Sequence, residues 1–181
     1  MIEEKIVSVV TPKYGGTMTK DNRNVWDSLK ETDPRFTKRI NKGFGDITTI
    51  DPQWQIMKVT EQFGPVGTGW TYRVDYSYHG MDNSQTAVVA AEVSVATNKN
   101  KEGFWDFYGP VCSPLKMYRK TGALDDEAPK KAMTDALTKA FSHLGLCSDI
   151  FMGKFDDSKY VKNLEEKYSG KVDPSKVTKT V

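Results

Sequence analysis

The sequence predicts an α+β protein in which an antiparallel three-stranded β-meander packs on a long helix, with an additional N-terminal helix and a short N-terminal strand. Three observations carry that expectation. The stretch KKAMTDALTKAFSHLG, residues 130–145, has a clean helical period. Residues 70–97 switch to a period of two. Short polar turns containing glycine or asparagine then separate successive strand candidates, as a meander requires.

In the helical stretch Ala132, Ala136, Ala140 and Leu144 fall four apart, and Met133, Leu137 and Phe141 form the adjoining row. The two rows make an apolar stripe that faces a core, while Lys130, Lys131, Thr134, Asp135, Thr138, Lys139 and Ser142 lie mostly outside it. Asp125, Asp126 and Glu127 put negative charge at the helix start, Pro129 suits the first turn and Gly145 suits a left-handed stop.

Taken in order, residues 5–10 read as a short strand and residues 11–24 as a polar connection. Residues 26–40 are mixed: Pro34 interrupts any single helix, and Phe36, Lys38, Arg39 and Ile40 suggest an exposed basic segment with apolar anchors. NKGFGD, residues 41–46, is a turn cluster. Asp51 followed by Pro52 is a helix start, and Ile56, Val59, Thr60 and Phe63 repeat at helical spacing up to Gly64, giving a helix at about 52–63. Trp70, Tyr72, Val74, Tyr76 and Tyr78 then alternate with polar residues, and Ala87, Val89, Ala91, Val93 and Val95 form the inward row of a second strand. Phe104–Tyr108 is the expected third strand. SPLKMYRKTG, residues 113–122, follows as a loop in which Lys116, Arg119 and Lys120 are interleaved with apolar residues. The chain divides into one domain over residues 1–168, with its core at about 25–161, and a flexible C-terminal tail over 169–181.

Composition narrows the function classes. A chain of 181 residues with 38% hydrophobic content can bury a sizeable core. The net charge of +2 excludes a polybasic coat, so any basic surface is local. Cys112 and Cys147 have no second ligand at metal spacing, and both read as small buried or half-buried side chains in a reducing compartment. With no membrane segment and no signal peptide, the expected location is the cytoplasm.

Catalytic motifs largely fail. GPVGTGW, residues 64–70, neither follows a strand nor ends in the lysine and hydroxyl pair of a phosphate cradle. His79 and His143 lack partners at ligand spacing, and the adjacent Asp156 and Asp157 point in different directions. The expectation is a binding protein rather than an enzyme, with no catalytic residue, no metal ligand and no cofactor. A basic helix face, a basic loop and many aromatics remain, and that is the composition of a polyanion-binding surface.

The combination of IDPQWQIMKVTEQFGPVGTGW (residues 50–70), the meander ending in FYG (residues 107–109) and KKAMTDALTKAFSHLG resembles the single-strand annealing proteins of bacteriophages. The similarity is to the Sak and ERF-like groups, relatives of the eukaryotic strand-annealing mediator usually called Rad fifty-two, and covers roughly residues 25–161. It implies the β-β-β-α annealing-protein fold, assembled as a homo-oligomer into rings or helical filaments, with single-stranded DNA in an outer basic groove. Residue by residue, Lys139 falls where the eukaryotic relative carries a DNA-contacting arginine on the long helix. Thr138 falls where that relative carries a lysine, a departure that weakens the groove charge there. Arg39 falls on another DNA-contacting arginine, with Lys38 and Lys42 as helpers. Lys131 on the basic helix face, and Lys116, Arg119 and Lys120 in the basic loop, complete the candidate set.

The function implied is ATP-independent annealing in phage-type homologous recombination, in the host cytoplasm. The implied partners are single-stranded DNA, an annealed duplex intermediate, further copies of the chain and a phage exonuclease or host single-strand binding protein, with no membrane. Annealing breaks no covalent bond, so it needs only cancellation of phosphate repulsion and bases held ready to pair. Two other classes compete: a protein that protects single strands without pairing them, and a metal-dependent nuclease using Asp75, Asp106 or the Asp156 and Asp157 pair.

Overall fold

The computed structural model describes residues 23–41, 43, 45–82 and 85–171, so the strand expected over residues 5–10 and all but the first three residues of the expected tail lie outside the described residues. In chain order the elements are α1 (Asn24–Leu29), a 3-10 turn (Pro34–Phe36), β1 (Thr37–Asn41), β2 (Asp46–Ile50), α2 (Pro52–Phe63), β3 (Thr71–His79), β4 (Val88–Ala96), β5 (Tyr108–Lys116), α3 (Ala128–Ser142), α4 (Ser148–Phe151), a second 3-10 turn (Lys154–Asp156) and α5 (Ser158–Ser169).

The architecture is mixed α+β, with β3, β4 and β5 side by side in an antiparallel sheet that packs against α3. Central β4 turns Val89, Ala91, Val93 and Val95 toward the helix, all fully buried, and each such valine contributes roughly 1.5–3 kcal/mol by leaving water. From α3, Ala128, Ala132, Ala136 and Ala140 meet them. Small side chains on the helix let its axis approach the sheet closely, and larger neighbours close the ends of the contact. Trp70 packs edge-on against Phe141 at 5.4 Å and stacks on Tyr72 at 6.0 Å. Tyr108 donates its hydroxyl to the Ala140 carbonyl at 2.9 Å, and burial pushes its phenol far above the usual range.

A separate two-stranded ribbon, β1 with β2, pairs Thr37 with Ile50 and Arg39 with Thr48. Asp51 ends the ribbon and starts α2, its carboxylate accepting from the backbone N–H of Gln53 at 2.7 Å and Trp54 at 3.2 Å, with Pro52 at the first helical position. Past the end of α3 the chain turns at Gly145, whose φ is 95°; a Cβ there would meet the Trp26 ring at 2.8 Å, so only glycine fits both the turn and the packing.

Several elements differ from expectation. The third strand is β5, residues 108–116, and not 104–108. Pro110 and Pro114, which read as breakers, are tolerated because β5 is an edge strand. Residues 98–107 form the connection instead, held by Asn100, whose side chain accepts from the N–H groups of Glu102 and Phe104. Residues 113–116 of the expected basic loop therefore belong to a strand. The exposed basic segment at 36–40 is largely β1, and residues 24–29 and 158–169 form helices. Cys147 is buried, whereas Cys112 is exposed.

Candidate nucleic-acid interface

The ribbon stands off the body so that β2 faces α3 across an open cleft of about 500 Å³. One wall is the polar face of α3, where Glu127, Lys130, Lys131, Thr134, Asp135 and Thr138 recur at spacings of three and four and so share one side of the helix. The opposite wall is β2, from Ile47 to Ile50. Ile150 and Phe151 of α4 line it as well, with the Phe151 ring half-exposed at 51%. The cleft thus joins hydroxyls, ammonium groups and two carboxylates on the α3 side with Thr48, Thr49 and the apolar Ile47, Ile50, Ile150 and Phe151 on the other.

Of the residues expected to contact DNA, Lys131 and Thr138 line this cleft. Lys139 lies one helical turn past Asp135, and its ammonium donates to Asp135 Oδ2 at 2.7 Å. Arg39 is exposed on β1, across the ribbon from Thr48, with its guanidinium 3.9 Å from Asp156. Lys38 precedes it in the strand and points to the other face of the ribbon, beside Arg35, Phe36 and Thr49. Lys42 lies outside the described residues. Arg119 is brought to Lys131 through a shared carboxylate: Asp125 accepts from Lys131 at 2.8 Å and from Arg119 at 3.4 Å. The Lys131 hydrogen bond holds the Asp125 carboxyl below its usual value, Arg119 adds to this, and Asp125 in turn raises the pKa of Lys131. Lys116 ends β5 on the sheet face opposite α3, paired with Val88, and Lys120 is exposed on a turn, so neither joins the cleft.

Sequence reasoning missed two features of the site. The first is the apolar wall of Ile150 and Phe151, whose four-residue helix has no periodic signal of its own. The second is that the cations along this side of α3 are matched by carboxylates: Lys130 with Glu127, Lys131 with Asp125 and Glu127, Lys139 with Asp135. That matching is legible in part, since Asp135 precedes Lys139 by four residues.

Thr138 is anchored rather than free. Its hydroxyl donates to Gln55 Oε1 at 2.7 Å, and Gln55 is 1% exposed. Behind it Cys147 has its thiol pushed up to about 12 by burial, against hydrogen bonding with Thr32 and Gln55. Among the described residues no three His, Cys, Asp or Glu side chains are grouped to hold a metal ion, and no helix is long and apolar enough to cross a membrane.

No protein-family model matches the chain, and no curated protein matches it.

Proposed function

We propose that the chain binds single-stranded DNA in the cleft between the β1–β2 ribbon and α3, and anneals complementary strands without ATP, as the recombination proteins of bacteriophages do. The observation that carries this reading is the two-sided character of the cleft: Lys130, Lys131 and Thr134 on one wall suit a phosphate backbone, and Ile47, Ile150 and the half-exposed Phe151 suit bases and sugars. Lys139, at the end of the same helix face, extends the phosphate track.

Each protomer would contact few nucleotides, so useful affinity comes from many protomers on one strand in a ring or filament. The sheet supports self-association. α3 covers β4 and β5, and on the same sheet face Tyr72, Tyr76 and Tyr78 of edge strand β3 are 37–51% exposed.

Binding of a labelled oligothymidylate at several salt concentrations tests the site. Replacing Lys130 and Lys131 together by Ala removes two cations without opening a core cavity. The expected result is weaker binding and a slope of log affinity against log salt reduced by about 0.7 for each lost contact. Unchanged affinity and slope in a folded variant would place the strand elsewhere.

A further inference from the structure

Asp135 stands at the cleft wall, and two of its partners hold it differently. On the open side it pairs with the half-exposed ammonium of Lys139 at 2.7 Å. On the sheet side its carboxylate accepts from the hydroxyl of Ser113, a β5 residue 3% exposed. A lysine side chain has four rotatable bonds and can swing to a new anion, whereas a carboxylate gripped by a buried hydroxyl stays where it is. When a phosphate takes Lys139, Asp135, still held by Ser113, keeps its negative charge in the wall facing a polyanion.

We infer that Asp135 weakens the grip of the cleft on single-stranded DNA, with Ser113 as the positioning residue that keeps it there. This deepens the single-strand reading and rests on it. The same exchange, carboxylate for phosphate, faces Lys131 at Asp125, whose pairing with both Lys131 and Arg119 closes the far end of the helix face. A groove built from pre-paired cations holds a strand only when many protomers act together, and it releases the product as contacts are lost one by one. Bare lysines would hold the strand more tightly at every protomer and hand it over more slowly.

The experiment compares single-strand affinity and its salt slope for wild type, Asp135→Asn, Ser113→Ala and Asp135→Asn combined with Lys139→Ala, each first shown by circular dichroism and light scattering to keep wild-type helicity and assembly. Asp135→Asn removes the charge and keeps the shape. It should tighten binding by roughly three- to tenfold and steepen the salt slope by about 0.7 as Lys139 becomes a full phosphate contact. Ser113→Ala leaves the charge but frees the carboxylate, so its affinity should fall between wild type and Asp135→Asn. In the combined variant the steeper slope should disappear. A wild type that binds the oligonucleotide, together with an Asp135→Asn that binds it no better, overturns the inference and leaves the single-strand reading standing. A wild type with no single-strand affinity at low salt overturns both.

Discussion

Thr138 donates its hydroxyl to Gln55 Oε1 at 2.7 Å, joining α3 to α2 across 83 residues of chain. The bond ties the cleft wall to the buried interior, so the residue at 138 has a structural duty that a surface position lacks. Thr138→Val keeps the shape and removes the donor, leaving a buried carbonyl oxygen unpaired. The expected loss of stability is about 1–2 kcal/mol, read by denaturant unfolding. Thr138→Lys should lose a comparable amount whatever it does to DNA affinity. Midpoints equal to wild type in both variants would show that the bond carries no weight.

Asp149 is 2% exposed and accepts four hydrogen bonds: from Thr32 N–H at 2.8 Å, Thr32 Oγ1 at 2.6 Å, Tyr160 Oη at 2.9 Å and its neighbour Ile150 N–H at 2.9 Å. The group pins α4 between the segment around Thr32, just after α1, and α5. Asp149→Ala strands several donors and should cost about 3 kcal/mol, whereas Tyr160→Phe removes one donor and should cost about 1 kcal/mol. Because α4 carries Phe151, the Asp149 variant should also weaken single-strand binding. Equal stability of the two variants would contradict the network.

Acid should loosen the same side of the molecule. Burial works against ionisation of Glu31, but the hydrogen bonds from Lys167 and from Tyr168 outweigh it, and the carboxyl pKa is lowered. A lowered folded-state pKa means a contribution fully present above the unfolded carboxylate value, and lost as pH falls through the folded one. Glu31→Gln should therefore be less stable than wild type near neutrality and should approach it below about pH 4. Thermal unfolding from neutral pH into acid reads the difference, and a gap between the two proteins that stays constant across the range would refute it.

The half-exposed tyrosine row of β3 predicts self-association. Light scattering should give many times the 20.4 kDa of one chain, and replacing Tyr72 and Tyr76 together by Ser should shift the population toward smaller species. A wild type that is monomeric both with and without single-stranded DNA would remove the ring or filament from the account.

Much of the architecture is legible in local patterns. The rows of α3 announce a period of 3.6 and the valine row of β4 a period of two because those rows are buried, while β3 announces its period of two through an aromatic row that stays half-exposed. Asp51 and Pro52 mark the start of α2 by chemistry that needs no distant partner. β1 is different: TKRIN has no alternating apolar row, and its extended form comes from pairing with β2. β5 hides behind Pro110 and Pro114, whose meaning depends on the strand lying at an edge. The site divides in the same way. Lys131 and Thr138 belong to a helix face that periodicity defines, while the position of Phe151 depends on Asp149 meeting Thr32 from 117 residues away, a contact that no local window contains.

The most direct measurement is annealing itself. Two complementary oligonucleotides, one carrying a fluorophore and the other a quencher, are mixed with the full chain in buffer containing a chelator and no nucleotide. The account predicts pairing well above the spontaneous rate, reduced in the Lys130→Ala, Lys131→Ala variant and in Phe151→Ala. A wild type that binds each strand yet leaves the pairing rate at or below the spontaneous value would contradict it and make the chain a protector of single strands; an absolute requirement for ATP would contradict it as well.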